Sequence, residues 1–347
     1  MPELRAFNPV STALDRTKKL LFEPFDAWVW LKLIIIMFFV GSGGRSFNPS
    51  NAFRYSTGNT SDFSVESLSN SISSLLSEPT VIAAIILLIL AVIVIVLIFS
   101  YLRSVFSFVL IDALTSGQVH ILKPFKENMG RGLKVFVFNV VMMVISLVFI
   151  LAMLAVALLT IFWLVGLSDK TEPNVGLIIV AVGILLLMLV FILAFSVLMG
   201  LIVGFFYDFA IPLMRFKNLS MSDSIKHVIG LVRQEPVEFL VYVVLRWALE
   251  AAAALIFGII NLCIMAVFLA LGIIIVLIAV AAYKISIWLL IPFILLIVIG
   301  LLLMIIIMAV ISMPLGVYFR YFSLDFLRSF DPTYVPYSGR FAPAGIS

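Results

Sequence analysis

A single cysteine, Cys263, in a chain of 347 residues excludes an internal disulfide. Alone it says nothing about redox compartment, and its place in an apolar run reads as a small buried hydrophobe. Histidine is nearly as scarce. His120 and His227 are isolated loop residues without ligand spacing, so no metal site is expected. Charge is the third shortage: 12% charged residues against 64% hydrophobic ones lies outside every soluble class. No HExxH, GxSxG or paired-cysteine pattern occurs. Gly41, Gly43 and Gly44 lack the strand, lysine and hydroxyl context of a phosphate loop. The chain therefore reads as non-enzymatic, with no cofactor and no nucleic-acid partner expected.

What is present is apolar sequence in long runs. Five stretches, Ala27–Ser42, Thr80–Leu102, Val135–Leu167, Val175–Tyr207 and Val237–Phe319, dominate the chain. Most exceed the ~18 residues that mark a membrane span. The last breaks only at Lys284 and counts as two, which predicts an all-α, polytopic transmembrane bundle of about six spans. With the N-terminus inside, 17 of the 22 Lys and Arg fall on the cytoplasmic side; Arg45, Arg54, Lys170 and Lys284 face out, and Arg246 lies within a span. That bias places both termini in the cytoplasm. A seven-span alternative, splitting at Gly258, weakens the bias. The net charge of +4 is accounted for by topology and anionic inner-leaflet lipid. The 26 polar and charged residues ahead of the first run do not form a signal peptide.

The cytoplasmic segments resemble one another. Asn8 is read as an N-cap followed by Pro9, with Val10, Ala13, Leu14, Thr17 and Leu21 on one face. Ser220 and Asp223 read as a capping box, followed by a stripe of Met221, Ile225, Val228, Ile229 and Val232. Both segments end in Glu-Pro, at Glu23-Pro24 and Glu235-Pro236, and both read as basic amphipathic surface helices. The Asp112–Lys134 loop is a poorer third copy. The inward ends of the even spans lead through aromatic-rich turns to Asp112, Asp208 and Asp325. One transmembrane domain is thus expected over residues 1–347, with three helix-pair repeats at 8–118, 119–217 and 218–330 and a flexible cytoplasmic tail at 331–347. The outer loop holds a further amphipathic candidate, Asp62–Ser77, and a glycosylation sequon at Asn59. Three spans carry about 33 apolar residues, near 50 Å of helix against ~30 Å of hydrocarbon. Pro292 and Pro314 are the expected kinks.

Arg246 and Glu250 are the candidate ligand or lipid residues. They are four apart on one span, hence on one helical face. A charge at that depth costs about 2.5–3.5 kcal/mol on insertion scales and needs a partner or water. The bland alternative is a self-neutralised pair that fixes packing. Asn139 and Asn261 read as interhelical hydrogen bonds, and Asp112 and Asp208 as helix caps or partners of loop cations. Gly200 with Gly204, and Ala254 with Gly258, have small-residue packing spacing.

The layout resembles prokaryotic, archaeal-type membrane families of unknown function, similar to the membrane domain attached to some glycerophosphodiester phosphodiesterases. The resemblance rests on Pro24-Phe25-Asp26-Ala27-Trp28, on Asp208 through Pro212, and on Glu235-Pro236-Val237-Glu238-Phe239 with Tyr242 and Arg246. It implies a fold but no activity, because the phosphodiesterase domain has no counterpart here. Two functional expectations follow. One is a membrane scaffold or accessory subunit that binds lipids, other membrane proteins or a second copy. The other is a small transporter or lipid-handling carrier with Arg246 and Glu250 in a central cavity.

Overall fold

The computed structural model describes residues 5–41, 79–168, 175–283 and 290–341, and every regular element among them is helical. In chain order these are α1 (Asn8–Leu21), α2 (Ala27–Val40), α3 (Pro79–Ser116), α4 (Leu122–Ser168) and α5 (Val175–Phe205). A π-helical turn, Phe206–Ala210, carries α5 into α6 (Ile211–Phe216). Then come α7 (Met221–Gln234), α8 (Pro236–Tyr283) and α9 (Leu290–Phe330).

Five helices are long and apolar enough to cross a membrane: α3, α4, α5 with α6, α8 and α9. The first expected span is shorter. α2 has 14 residues, about 21 Å of helix, and ends at Gly41, whose φ of +83° suits glycine. Gly258 lies inside the continuous α8, which removes the seven-span alternative. Surplus apolar length is carried as unbroken helix: α4 has 47 residues and α8 has 48, each roughly 70 Å. Pro314 lies within α9, and Pro292 is the third of its described residues.

The packed core sits at one end of the bundle. It joins α1, the C-terminal part of α3, the π turn with α6, the start of α8 and the end of α9. Aromatic rings fill it: Tyr242 stacks on Phe322 and Phe326 at centroid distances of 5.2 and 4.5 Å, and Phe209 meets Tyr242 at 5.1 Å. Away from this end, the most apolar windows of α3, α4, α5 and α9 bury none of their residues within the chain. Their side chains are suited to lipid or to other transmembrane helices. Cys263 belongs to such an outward face, so the buried position expected for it is not the one observed.

Close packing of α3 on α4 depends on Gly132. A Cβ there would lie 2.4 Å from Val105 Cγ2 and 3.0 Å from Val105 Cα. The third surface-helix candidate, Asp112–Lys134, is not a separate element: it takes in the end of α3, the connection at 117–121 and the opening turns of α4, which press on α3. α1 does dock, burying Pro9, Ala13, Thr17, Leu20 and Leu21. Leu14, placed on that stripe by sequence, is exposed. Asn8 does not cap, since Phe7 holds the N-cap position; the Asn8 carbonyl accepts from the Ser11 and Thr12 hydroxyls. Ser220 does cap α7, accepting from Asp223 N at 3.2 Å and donating to its carboxylate at 2.6 Å.

The expected flexible tail is folded back as far as Phe341. Val335, Tyr337 and Phe341 are buried, and Tyr337 donates to Asp325 Oδ1 at 2.7 Å. Burial and then the neighbouring Asp325 carboxylate push the Tyr337 hydroxyl well above the usual tyrosine value, so it remains a donor. Residues 342–347 lie outside the described residues, as do Asp62–Ser77, the Asn59 sequon, Lys170 and Lys284.

Candidate functional site

The site begins with a proline. Pro212 has no N–H to give the Asp208 carbonyl four residues earlier, and its ring crowds that carbonyl. The helix responds with the π turn, in which Ile211 N bonds to Phe206 O, five residues back. In that register the partner of Tyr207 O is the hydrogen Pro212 lacks. A side chain from another helix takes it instead: Arg320 Nη1 of α9 donates to Tyr207 O at 2.9 Å. The turn thus presents a free carbonyl and the Asp208 carboxylate to its neighbours.

Asp208 is the hub. Arg246 Nη1 of α8 forms a short ion pair with its Oδ2, Tyr242 donates to the same oxygen at 3.2 Å, and Arg320 Nη1 lies 3.6 Å from Oδ1. Arg246 also donates to Tyr242 Oη at 2.7 Å and, through Nε, to Glu250 Oε1 at 2.9 Å. A fourth helix closes the cluster. Arg103 of α3 lies over the Tyr207 ring, 5.4 Å from its centroid. Asn139 of α4 donates to the Tyr207 hydroxyl at 2.7 Å and to Ser104 Oγ at 3.1 Å, the interhelical role expected of it.

The electrostatics of this cluster are lopsided. Arg246 and Arg320 pair with two carboxylates, Asp208 and Glu250, while Arg103 lines the same cavity without an ion pair among the described residues. Among the described residues, Arg320 Nε and Nη2 and Arg103 Nε are buried without a hydrogen-bond partner. A buried unsatisfied donor costs about 1–3 kcal/mol, more when charged. The Arg320 side chain is only 9% exposed, so bulk water does not relieve it.

Two cavities adjoin the cluster. A small one of about 110 Å³ is walled by Arg103, Tyr207, Asp208, Arg246 and Arg320, with Gly200 and Gly204 of α5. A larger one of about 830 Å³ lies between α2, α8 and α9; its wall is apolar apart from Glu250, Asn261 and Ser312. Met37, Gly41 and Phe319 line both. Ala254 and Gly258 therefore open space along α8, and an added Cβ at Gly258 would meet nothing within 4 Å. The Asn261 Oδ1 is buried and unpartnered among the described residues, so it does not make the interhelical bond expected of it.

Two further aspartates repeat the hub's pattern. Asp112 accepts from Arg215 Nε at 2.6 Å and from Asn128 at 3.1 Å, and Asp325 pairs with Arg16 of α1 at 3.2 Å. Each carboxylate near the end of α3, α5–α6 or α9 thus binds an arginine from another element.

The chain belongs to a family of unknown function, DUF7544, whose profile matches residues 4–337. No curated protein and no solved structure matches it.

Of the sequence candidates, Arg246 and Glu250 do form an ion pair, but the pair is not self-contained. Arg246 also reaches the more deeply buried Asp208 on another helix. Arg103 and Arg320 were missed because charge counting placed both in loops. Their helices run on to Ser116 and Phe330. The signal was there, since Val105–Leu114 and Tyr321–Leu327 remain mostly apolar beyond each arginine.

Proposed function

We propose that this is a non-enzymatic, lipid-handling membrane protein that holds an amphiphile in the cavity between α2, α8 and α9. The observation that carries this reading is the cavity itself. Its ~830 Å³ falls in the size range of small-molecule sites, and its wall is apolar with a few convergent polar groups. Glu250 ties that wall to the buried charge cluster, in line with a carrier built around Arg246 and Glu250. The likeness to membrane domains attached to glycerophosphodiester phosphodiesterases, of archaeal type, fits a role beside lipid chemistry without supplying an activity.

A scaffold role is favoured by a separate feature, the outward-facing apolar windows, which offer surface to a second copy or another membrane protein. In either role the packed end, with α1, α7 and the tail, is placed at the cytoplasmic face of the cell membrane, following the bias of Lys and Arg. Ala254→Trp tests the lipid reading. It fills the cavity from α8 while leaving the charge cluster in place. Lipid co-purifying with the gently solubilised protein, quantified by mass spectrometry, should fall severalfold in the folded variant; unchanged lipid content overturns the reading.

A further inference from the structure

We propose that Arg103 and Arg320 form a phosphate-binding site in the small cavity, so that the amphiphile held by this protein is an anionic phospholipid. This rests on the lipid-handling reading and adds the headgroup class. Three features point the same way. Within the cluster, three guanidinium groups stand beside two carboxylates, leaving one positive charge without a counterpart among the described residues. The donors left over are on the arginines: Nε and Nη2 of Arg320 and Nε of Arg103, all buried and unpartnered among the described residues. Guanidinium N–H groups fork naturally onto two oxygens of a phosphate, and one anionic phosphodiester restores neutrality.

The third feature is the placement of the two cavities. The small one has room for a group of a few heavy atoms, being several times the volume of a bound water. It shares Met37, Gly41 and Phe319 with the large apolar one. Charged head and apolar tail thus have adjoining places. Nε and Nη1 of Arg246 are already engaged by Glu250, Asp208 and Tyr242, so it positions the hub while Arg103 and Arg320 meet the phosphate.

The test titrates the full chain in detergent with a diacyl phosphatidylglycerol, a diacyl phosphatidylcholine and inorganic phosphate, read by native mass spectrometry. Phosphatidylglycerol should bind at least tenfold more tightly than phosphatidylcholine. Arg103→Gln and Arg320→Lys should each weaken phosphatidylglycerol about tenfold, the effect of losing one charged hydrogen bond, and weaken phosphatidylcholine less, since its quaternary ammonium already offsets the phosphate charge. Arg320→Lys keeps the charge opposite Asp208, and thermal melting confirms that both variants are folded. Competition by inorganic phosphate at similar affinity supports the anion site but assigns it to soluble phosphate. Equal binding of the two lipids, or wild-type phosphatidylglycerol affinity in folded Arg103→Gln, overturns the proposal. Ala254→Trp separates the two readings. If it leaves lipid retention intact, the cavity reading fails, while the effect of Arg103→Gln on inorganic phosphate still decides the anion site. If it abolishes retention of both lipids, the cavity stands and the headgroup assignment is decided by Arg103→Gln, falling if that variant keeps wild-type phosphatidylglycerol affinity.

Discussion

Arg246 stands between two carboxylates, and the one on the other helix is the more buried: the Asp208 side chain is 8% exposed and that of Glu250 is 25%. Breaking a buried pair by removing one partner costs about 3–5 kcal/mol, whereas a partly exposed pair within one helix is worth less. Arg246→Leu should therefore destabilise the detergent-solubilised protein by that larger amount, and Glu250→Leu by about 1 kcal/mol. Double-mutant cycles on thermal unfolding should show strong coupling of Arg246 with Asp208, using Asp208→Asn, and weak coupling of Arg246 with Glu250. Equal coupling in the two cycles would mean that the hub is not Asp208. Sequence spacing exposed only the intrahelical partner, because four residues on one helix is a local relation. The Asp208 contact spans two helices, and nothing in the intervening sequence records it.

At the level of the element, two small features control how helices meet. Pro212 obliges the π turn, which turns the Tyr207 carbonyl toward Arg320. Gly132 lets α3 and α4 touch. Gly132→Ala puts a methyl 2.4 Å from Val105 Cγ2, so a loss of about 1–3 kcal/mol is expected from overpacking. Adding Val105→Ala should recover only part of it, because the Val105 Cα at 3.0 Å remains in the way. Melting temperatures of the single and double variants check this. The tail is held by side chains too. Arg340 donates to Lys19 O at 3.2 Å, and Gly339, at φ +57°, packs so closely on Ser116 O that a Cβ would lie 2.5 Å from it. Tyr337→Ala removes both the bond to Asp325 and the ring over which Arg16 stacks at 3.7 Å. Trypsin should then cleave after Arg340 much faster than in the wild type; equal rates would show that Tyr337 does not anchor the tail.

For the whole molecule, the contrast is between one packed end and long apolar helices facing outward. Among the described residues, the surface elements with several basic residues gather at the packed end, so its sidedness can be read with impermeant thiol reagents. With Cys263 replaced by Ala, cysteines at exposed Lys19, Lys126 and Lys226 should label only after the membrane is opened. Cysteines at Ser64 and Lys170 should label from outside in intact cells. Labelling of Lys226→Cys from outside reverses the assignment.

Membrane class, the helical fold and the capping of α7 follow from the sequence alone, because hydropathy and cap chemistry are properties of neighbouring residues. The Arg246–Glu250 pair was legible for the same reason. The shortness of α2, the folded tail, the fusion of the third surface segment into α4 and the Asp208 hub were decided only by tertiary structure. Whether a tail folds back or a surface segment merges into a longer helix depends on what it packs against, and charges settle with whichever opposite charge the fold brings near. Arg103 and Arg320 show this most clearly. In sequence they mark the edges of apolar runs, and only the assembled helices turn them into buried donors at a common cavity.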